Sequence, residues 1–267
     1  MDLGLAGKRA LVTGSSSGIG AGIARMLAAE GCVVVVHGRD RDRAEAVART
    51  IGQAGGAADL AIGDLADPAQ AEAVARAAGT VDILVNNAGG AAGTSAMGWT
   101  EVPDEGWFET YNGNVLAAAR MIRALLPAMK GRGWGRVINI ASAAATQPIA
   151  FGPDYGAAKA AMINMSVSLA KALGACGVTA NTVSPGMVLT PAVERWLEGM
   201  RGPMGWEGLD MAEMERRAAA HLTPIPVGRI GRVEDIGHAV CMLASPASGY
   251  MTGANIRVDG GQVQSIN

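Results

Sequence analysis

Residues 8–20, KRALVTGSSSGIG, decide how this chain folds. Lys8 to Thr13 form a short, largely apolar run that ends at a turn signal, as a buried strand does. Gly14, Gly18 and Gly20 follow at G-x-x-x-G-x-G spacing, separated by serines and Ile19. An apolar-periodic stretch to about Glu30 then predicts a helix. The backbone N–H groups of such a turn can approach a pyrophosphate closely, and the helix N-terminus favours its charge. A plain turn can use two of these glycines. Their place at the first strand–helix junction favours the ligand-binding reading.

The same alternation continues outward. Gly31 ends the helix, and the run CVVVVH over 32–37 is a strand buried on both faces. Gly38, Arg39 and Asp40 come next, where dinucleotide folds present the adenosine ribose. An arginine there accommodates a 2′-phosphate, so Arg39 is a candidate phosphate ligand, with a solvated loop arginine as the alternative. Asp40 can face the ribose, or it or Asp42 can cap a helix over 43–51. Residues 57–62 form a third strand, followed by Gly63, Asp64 and Leu65. Asp67 and Pro68 open a helix as cap and first residue. A fourth strand over 81–85 runs into Asn86-Asn87-Ala88-Gly89, where small residues admit a ligand or make a plain turn.

Residues 104–129 read as one long helix, which Pro127 kinks or closes. Asn114 lies inside it, an unfavourable place for asparagine unless it has a task, and Asn112 competes for that task. Residues 136–141 form a fifth strand that delivers Ser142. Tyr155 and Lys159 lie one helical turn apart on the same face of a helix over 155–175. A lysine ammonium beside a phenol favours the phenolate, which brings a group that titrates near ~10 toward neutral pH. Tyr155 can then move a proton to or from a carbonyl or alcohol, with Ser142 hydrogen-bonded to the same oxygen. A Tyr-x-x-x-Lys pair alone is weak evidence, and the rest of the chain supplies its support. A sixth strand over 178–183 leads to Ser184-Pro185-Gly186-Met187-Val188-Leu189-Thr190. A helix over 233–244 and a last strand over 254–258 close a doubly wound, seven-stranded parallel α/β sheet with helices on both faces.

Between Met187 and Met214 the chain places five of its 14 methionines, where an even spread gives roughly one and a half. Adaptable apolar side chains over 191–222, with Trp196 and Trp206, suit a substrate lid. Packing against a neighbouring subunit is the competing reading. With 267 residues and a net charge of −2, nothing points to nucleic acid or an anionic membrane. The N-terminus does not read as a signal peptide, and no apolar run has transmembrane length, so the expected location is the cytoplasm. Cys32, Cys176 and Cys241 are scattered, and His37, His221 and His238 lack ligand spacing. Neither disulfide nor metal is expected.

Taken together, Thr13-Gly14-x-x-x-Gly18-x-Gly20, Asp64, Asn86-Asn87-Ala88-Gly89, Asn114, Ser142, Tyr155-x-x-x-Lys159 and Pro185-Gly186-x-x-x-Thr190 resemble the short-chain dehydrogenase/reductase family over nearly the whole chain. The C-terminal third is similar to the subgroup of 3-oxoacyl carrier-protein reductases and polyol, sugar and ketone dehydrogenases. The resemblance implies a single-domain Rossmann fold, a small-molecule substrate and a homotetramer. It implies Tyr155 as acid/base, Lys159 lowering its pKa and holding the nicotinamide ribose, and Ser142 orienting the carbonyl. Asn114 rather than Asn112 would hold a relay water. Gly14, Ser16, Ser17, Gly18, Ile19 and Gly20 would line the cofactor, Asp64 and Leu65 the adenine, and Asn87, Ala88 and Gly89 the ribose. Pro185, Gly186, Val188 and Thr190 would hold the carboxamide. With Gly38 and Arg39 at the second strand's end, NADP(H) is expected over NAD(H), Ser15 and Ser16 adding hydrogen bonds. The implied activity interconverts a ketone and a secondary alcohol, a 3-oxoacyl thioester or an apolar ketone being candidate substrates. An NAD-dependent polyol dehydrogenase and a silent dinucleotide-binding regulator are the alternatives.

Overall fold

Short β-rich runs separated by helices leave a chain few options: successive strands must lie parallel and be covered on both faces. The computed structural model describes residues 2–265. Its strands are β1 (Arg9–Val12), β2 (Val33–Gly38), β3 (Ala57–Ile62), β4 (Ile83–Asn86), β5 (Gly135–Ile140), β6 (Val178–Pro185) and β7 (Asn255–Val258). They form one seven-stranded sheet in the order β3-β2-β1-β4-β5-β6-β7, and every pairing is parallel. The direction of winding reverses between β1 and β4, so their carboxyl ends splay apart and open a crevice.

Strand burial explains the valine runs. Ala10, Val12, Val34 and Val36 face one core with Ile23 and Leu27 of α1 (Gly18–Ala29), Ala44 and Ile51 of α2 (Arg41–Gln53), and Ile236 and Val240 of α10 (Val233–Ala244). Leu11 and Val35 face the other, with Val74 of α3 (Pro68–Ala78), Met121 of α5 (Ala117–Gly131) and Leu173 of α6 (Pro153–Leu173). Truncating one such side chain to alanine costs about 2–5 kcal/mol. At the amino end of the sheet, Lys8 and Arg136 lie over the Trp134 ring, at 4.2 and 4.5 Å from its centroid.

Asp67 caps α3 through the Gln70 N–H at 3.0 Å, with Pro68 at its first position. Two local expectations change. The helix expected over 104–129 is α4 (Asp104–Tyr111) and α5, joined by a π-helical turn at Asn112–Leu116. Pro127 neither ends nor divides it, since α5 runs on to Gly131. Residues 191–222 fold as α7 (Pro191–Gly199), α8 (Arg201–Met204), α9 (Met211–Arg217) and a further π-helical turn. No described helix is long and apolar enough to cross a membrane, and among the described residues no His/Cys/Asp/Glu group could hold a metal.

Candidate active site

The carboxyl ends of β1, β2 and β4 bring the glycine loop, the Gly38–Arg43 segment and the Asn87–Gly90 segment to one crevice. Its adenine end is a cavity of about 670 Å³ lined by Ser16, His37, Arg39, Asp64, Leu65 and Ala88, among others. A second cavity of about 300 Å³ shares Gly14, Ser17, Arg43, Gly89 and Gly90 with it and continues to Tyr155, Lys159 and Thr190. An elongated ligand can therefore run from Arg39 to Tyr155.

The glycines are a steric requirement. Gly14 has φ +64°, and a Cβ there would stand 2.9 Å from the Ala88 Cα. At Gly20 a Cβ would meet the Gly14 carbonyl oxygen and the Asn87 amide nitrogen at 2.4 and 2.5 Å. Ser17 caps α1 without a side-chain bond, which leaves the first N–H groups of that helix open to an anion. These features fit the pyrophosphate of a dinucleotide. Thr13 and Asn87 hold the loop in place. The Thr13 hydroxyl accepts from the Asn87 and Ala88 N–H groups at 3.0 Å, and the Asn87 amide donates to the Thr13 carbonyl at 2.9 Å. The Asn87 side chain thus grips the loop rather than reaching for a ribose.

Ser15 is wholly buried. Its hydroxyl donates to the Val12 carbonyl at 2.6 Å and accepts from the His37 N–H, so it cannot serve a phosphate. Ser16 does face the cavity, over Gly38, where a Cβ would stand 2.7 Å from the Ser16 hydroxyl. Asp40 is settled as the cap of α2, accepting from the Arg43 N–H at 3.2 Å. Arg39 stands 78 % exposed with its guanidinium 3.7 Å from Asp64, and Arg43 joins it on the cavity wall.

At the other end, Ser142 closes β5 and caps a short turn, accepting from the Ala144 N–H at 3.2 Å. Tyr155 is half-buried in the first turn of α6. Burial raises its phenol pKa above the ordinary value, and a hydrogen bond with Ser142 works against that rise. The expected lowering by Lys159 is corrected: the Lys159 ammonium is 5.6 Å from the ring centroid and donates instead to the Ile140 carbonyl at 2.9 Å. Desolvation brings Lys159 itself down to about 8.

The Asn114 amide donates to the Gly90 and Thr110 carbonyls at 2.8 and 2.7 Å, and its oxygen accepts from the Gly90 N–H at 3.1 Å. Both amide hydrogens are thus spent, and the buried side chain clamps Gly90. Asn112 serves elsewhere, donating to the Ala66 carbonyl and accepting from Arg120. Of the residues expected at the carboxamide, Thr190 lines the cavity while its hydroxyl caps α7. Pro185, Gly186 and Val188 are not among the residues that line that cavity. Leu189 and Met187 bond Gly231, which turns the N–H and carbonyl of Val188 the other way. The buried Trp206 and the half-buried Trp196, Met200 and Met211 pack with Leu197 and Met214 in a small core within 187–230, not on the cavity wall.

Sequence reading missed His37, Arg43, Arg120 and Arg195. Arg43 sits three residues past the Asp40 cap, which is a usable signal. His37 and Arg120 act through contacts distant in sequence, and Arg195 is marked out only by the cavity that it lines.

A family model described as short chain dehydrogenase matches residues 8–201. The chain belongs to that family. Among its short-chain dehydrogenase relatives, the uncharacterized oxidoreductase YvaG of Bacillus subtilis is 38% identical, with 100% of both chains covered. The 3-oxoacyl-[acyl-carrier-protein] reductase FabG of Haemophilus influenzae is 34% identical, covering 96% of this chain and 98% of its own. The L-sorbose reductase of Gluconobacter frateurii, solved with NADPH and L-sorbose, superposes with a TM-score of 0.90 at 34% identity, with 100% of both chains covered. This short-chain dehydrogenase is an oxidoreductase with a Rossmann-like sheet.

Proposed function

We propose that this enzyme reduces a ketone to a secondary alcohol with NADP(H), Tyr155 donating the proton. The observation that carries the reading is the position of Tyr155: a half-buried phenol beside Ser142, in the cavity that begins at the glycine loop and also holds Lys159. A phenol so placed can give its proton to a carbonyl oxygen. When bound, the dinucleotide supplies the hydride that the substrate carbon gains or, in the reverse direction, receives it. Ser142 orients the carbonyl oxygen toward Tyr155. Lys159, held by the Ile140 carbonyl, keeps a cation behind the site and is placed to meet a ribose hydroxyl. Gly14, Gly18, Gly20 and the open start of α1 receive the pyrophosphate.

Three features support NADP(H) over NAD(H). Gly38 carries no carboxylate, Asp40 is turned to its helix, and Arg39 and Arg43 share the rim with Ser16. A relative of 34% identity solved with NADPH agrees. The ketone class follows from FabG and L-sorbose reductase, whose names denote reductases, and a 3-oxo or polyol-derived ketone is the class to test. The test is NADPH absorbance over a panel of 3-oxoacyl thioesters, ketoses and cyclic ketones. Turnover that disappears in Tyr155→Phe, with NADPH still bound, supports the reading. NADPH binding without turnover on any member of the panel favours a silent dinucleotide-binding regulator.

A further inference from the structure

The arginines between Pro191 and Asp235 are paired with carboxylates in every case but one. Arg201 bonds Glu198, Arg216 and Arg217 bond Glu213, Arg229 bonds Asp235, and Arg232 holds Glu215 through two nitrogens at 2.6 and 2.8 Å. Arg195 has no ion-pair or hydrogen-bond partner among the described residues. It lies on α7 and lines the same cavity as Ser17, Gly18, Ile19, Gly20, Tyr155 and Lys159. Three cations, Arg43, Lys159 and Arg195, face that cavity, and no carboxylate does. The start of α7 already lies against the glycine loop: a Cβ on Gly18 would be 3.7 Å from the Thr190 methyl.

We propose that Arg195 is a ligand of the cofactor pyrophosphate and thereby ties α7 to the bound dinucleotide. This rests on the reading that the crevice holds a dinucleotide. An unpaired guanidinium facing open helix N–H groups across a carboxylate-free cavity is arranged for a dianion, which two parallel N–H···O bonds can hold. Because α7 and α9 share one small core through Leu197 and Met214, a bond at Arg195 restrains both helices. The cofactor's charge would then set the position of the wall beside Tyr155 before substrate arrives.

The test uses the full-length enzyme, with NADPH binding followed by fluorescence in wild type, Arg195→Gln and Arg195→Lys. Charge-assisted hydrogen bonds of this kind correspond to roughly a tenfold to hundredfold loss of affinity in Arg195→Gln, with part of it recovered in Arg195→Lys. Competition by adenosine 2′-phosphate, which has no pyrophosphate, should be the same in all three proteins. A second measurement follows cleavage after Glu194 and Glu198 by glutamyl endopeptidase, each protein being saturated with NADPH. NADPH should protect wild type and fail to protect Arg195→Gln. Wild-type binding with an unchanged Kd and equal protection in Arg195→Gln overturns the proposal and leaves the cofactor reading standing. Failure of wild type to bind either NADPH or NADH overturns both.

Discussion

Nδ1 of His37 accepts a hydrogen bond from the backbone N–H of Gly14 at 2.9 Å. The other ring nitrogen, Nε2, lies 3.2 Å from the Gly63 carbonyl and must carry the proton to donate there. One imidazole therefore joins the glycine loop, the end of β2 and the end of β3. Only the neutral ring can do this, because the imidazolium has no acceptor. Burial lowers the His37 pKa from 6.5 to about 4.

A pH effect follows. The folded pKa lies below the unfolded one, so His37 stabilises the fold fully above pH 6.5, and that stabilisation is lost as pH falls from 6.5 through about 4. Its size is on the order of 3 kcal/mol. Urea midpoints measured across this range should fall in wild type and fall less steeply in His37→Gln. Parallel curves for the two proteins would count against the assignment. NADPH affinity should weaken in His37→Phe, which leaves the Gly14 N–H without a partner.

Lys159 shifts stability in the same direction, over a higher pH range. Its folded pKa of about 8 lies below the ordinary 10.5, so burial of the charge penalises the fold below pH 8, and the penalty fades as pH rises from 8 to 10.5. Lys159→Met should therefore raise the melting temperature at pH 7, by an amount equivalent to about 1–3 kcal/mol, while abolishing turnover. Calorimetry and a single-turnover assay check the two halves. A less stable variant would mean that the Ile140 bond outweighs desolvation.

Arg39 sets the third expectation. Because it is largely exposed and already faces Asp64, its contribution to NADPH preference lies near the low end for a charge-assisted contact, about tenfold in kcat/KM. Arg39→Ala should remove most of that preference and leave NADH kinetics unchanged, and Arg39→Ala with Arg43→Ala should remove the rest. Raising salt should erode the wild-type preference. Equal kcat/KM for the two cofactors in wild type would show that Arg39 is a solvated rim residue.

Phe108, Tyr111 and Leu116 form an exposed apolar stripe on α4 and the turn after it, and Phe108 is 74 % exposed. Trp99, 5.6 Å from the Trp107 ring, extends it. A patch of this kind marks an association surface. A homotetramer is the expected assembly, and Phe108→Glu with Tyr111→Glu should reduce it to smaller species in light scattering. A wild-type particle of 27.0 kDa at micromolar concentration would refute the expectation.

The strands and the Tyr155–Lys159 pair were legible because their signals are local. Doubly buried strands read as unbroken apolar runs, and a helix turn separates Tyr155 from Lys159 by four residues. The glycine loop was legible because a missing Cβ is visible in sequence even before the atoms it would strike are known. What stayed hidden depends on distant partners. Nothing in residues 32–38 says that His37 will meet Gly14. The π-helical turn that carries Asn114 adds a residue without changing the apolar pattern around it. For the methionines over 187–214 the lid and packing readings both stay open in the sequence, because composition reports that a surface is apolar, not which way it faces. Met187, Met200, Met211 and Met214 pack with Leu197 and Trp206, and Met204 is exposed.

That small core has a consequence for how such enzymes diversify. Leu197, Trp206, Met214, Ala218 and Ala219 belong to a cluster separate from the two that hold the sheet. The interior of segment 191–222 can thus be repacked without disturbing the packing that shapes the glycine loop, provided that Arg195 is kept on the cavity wall.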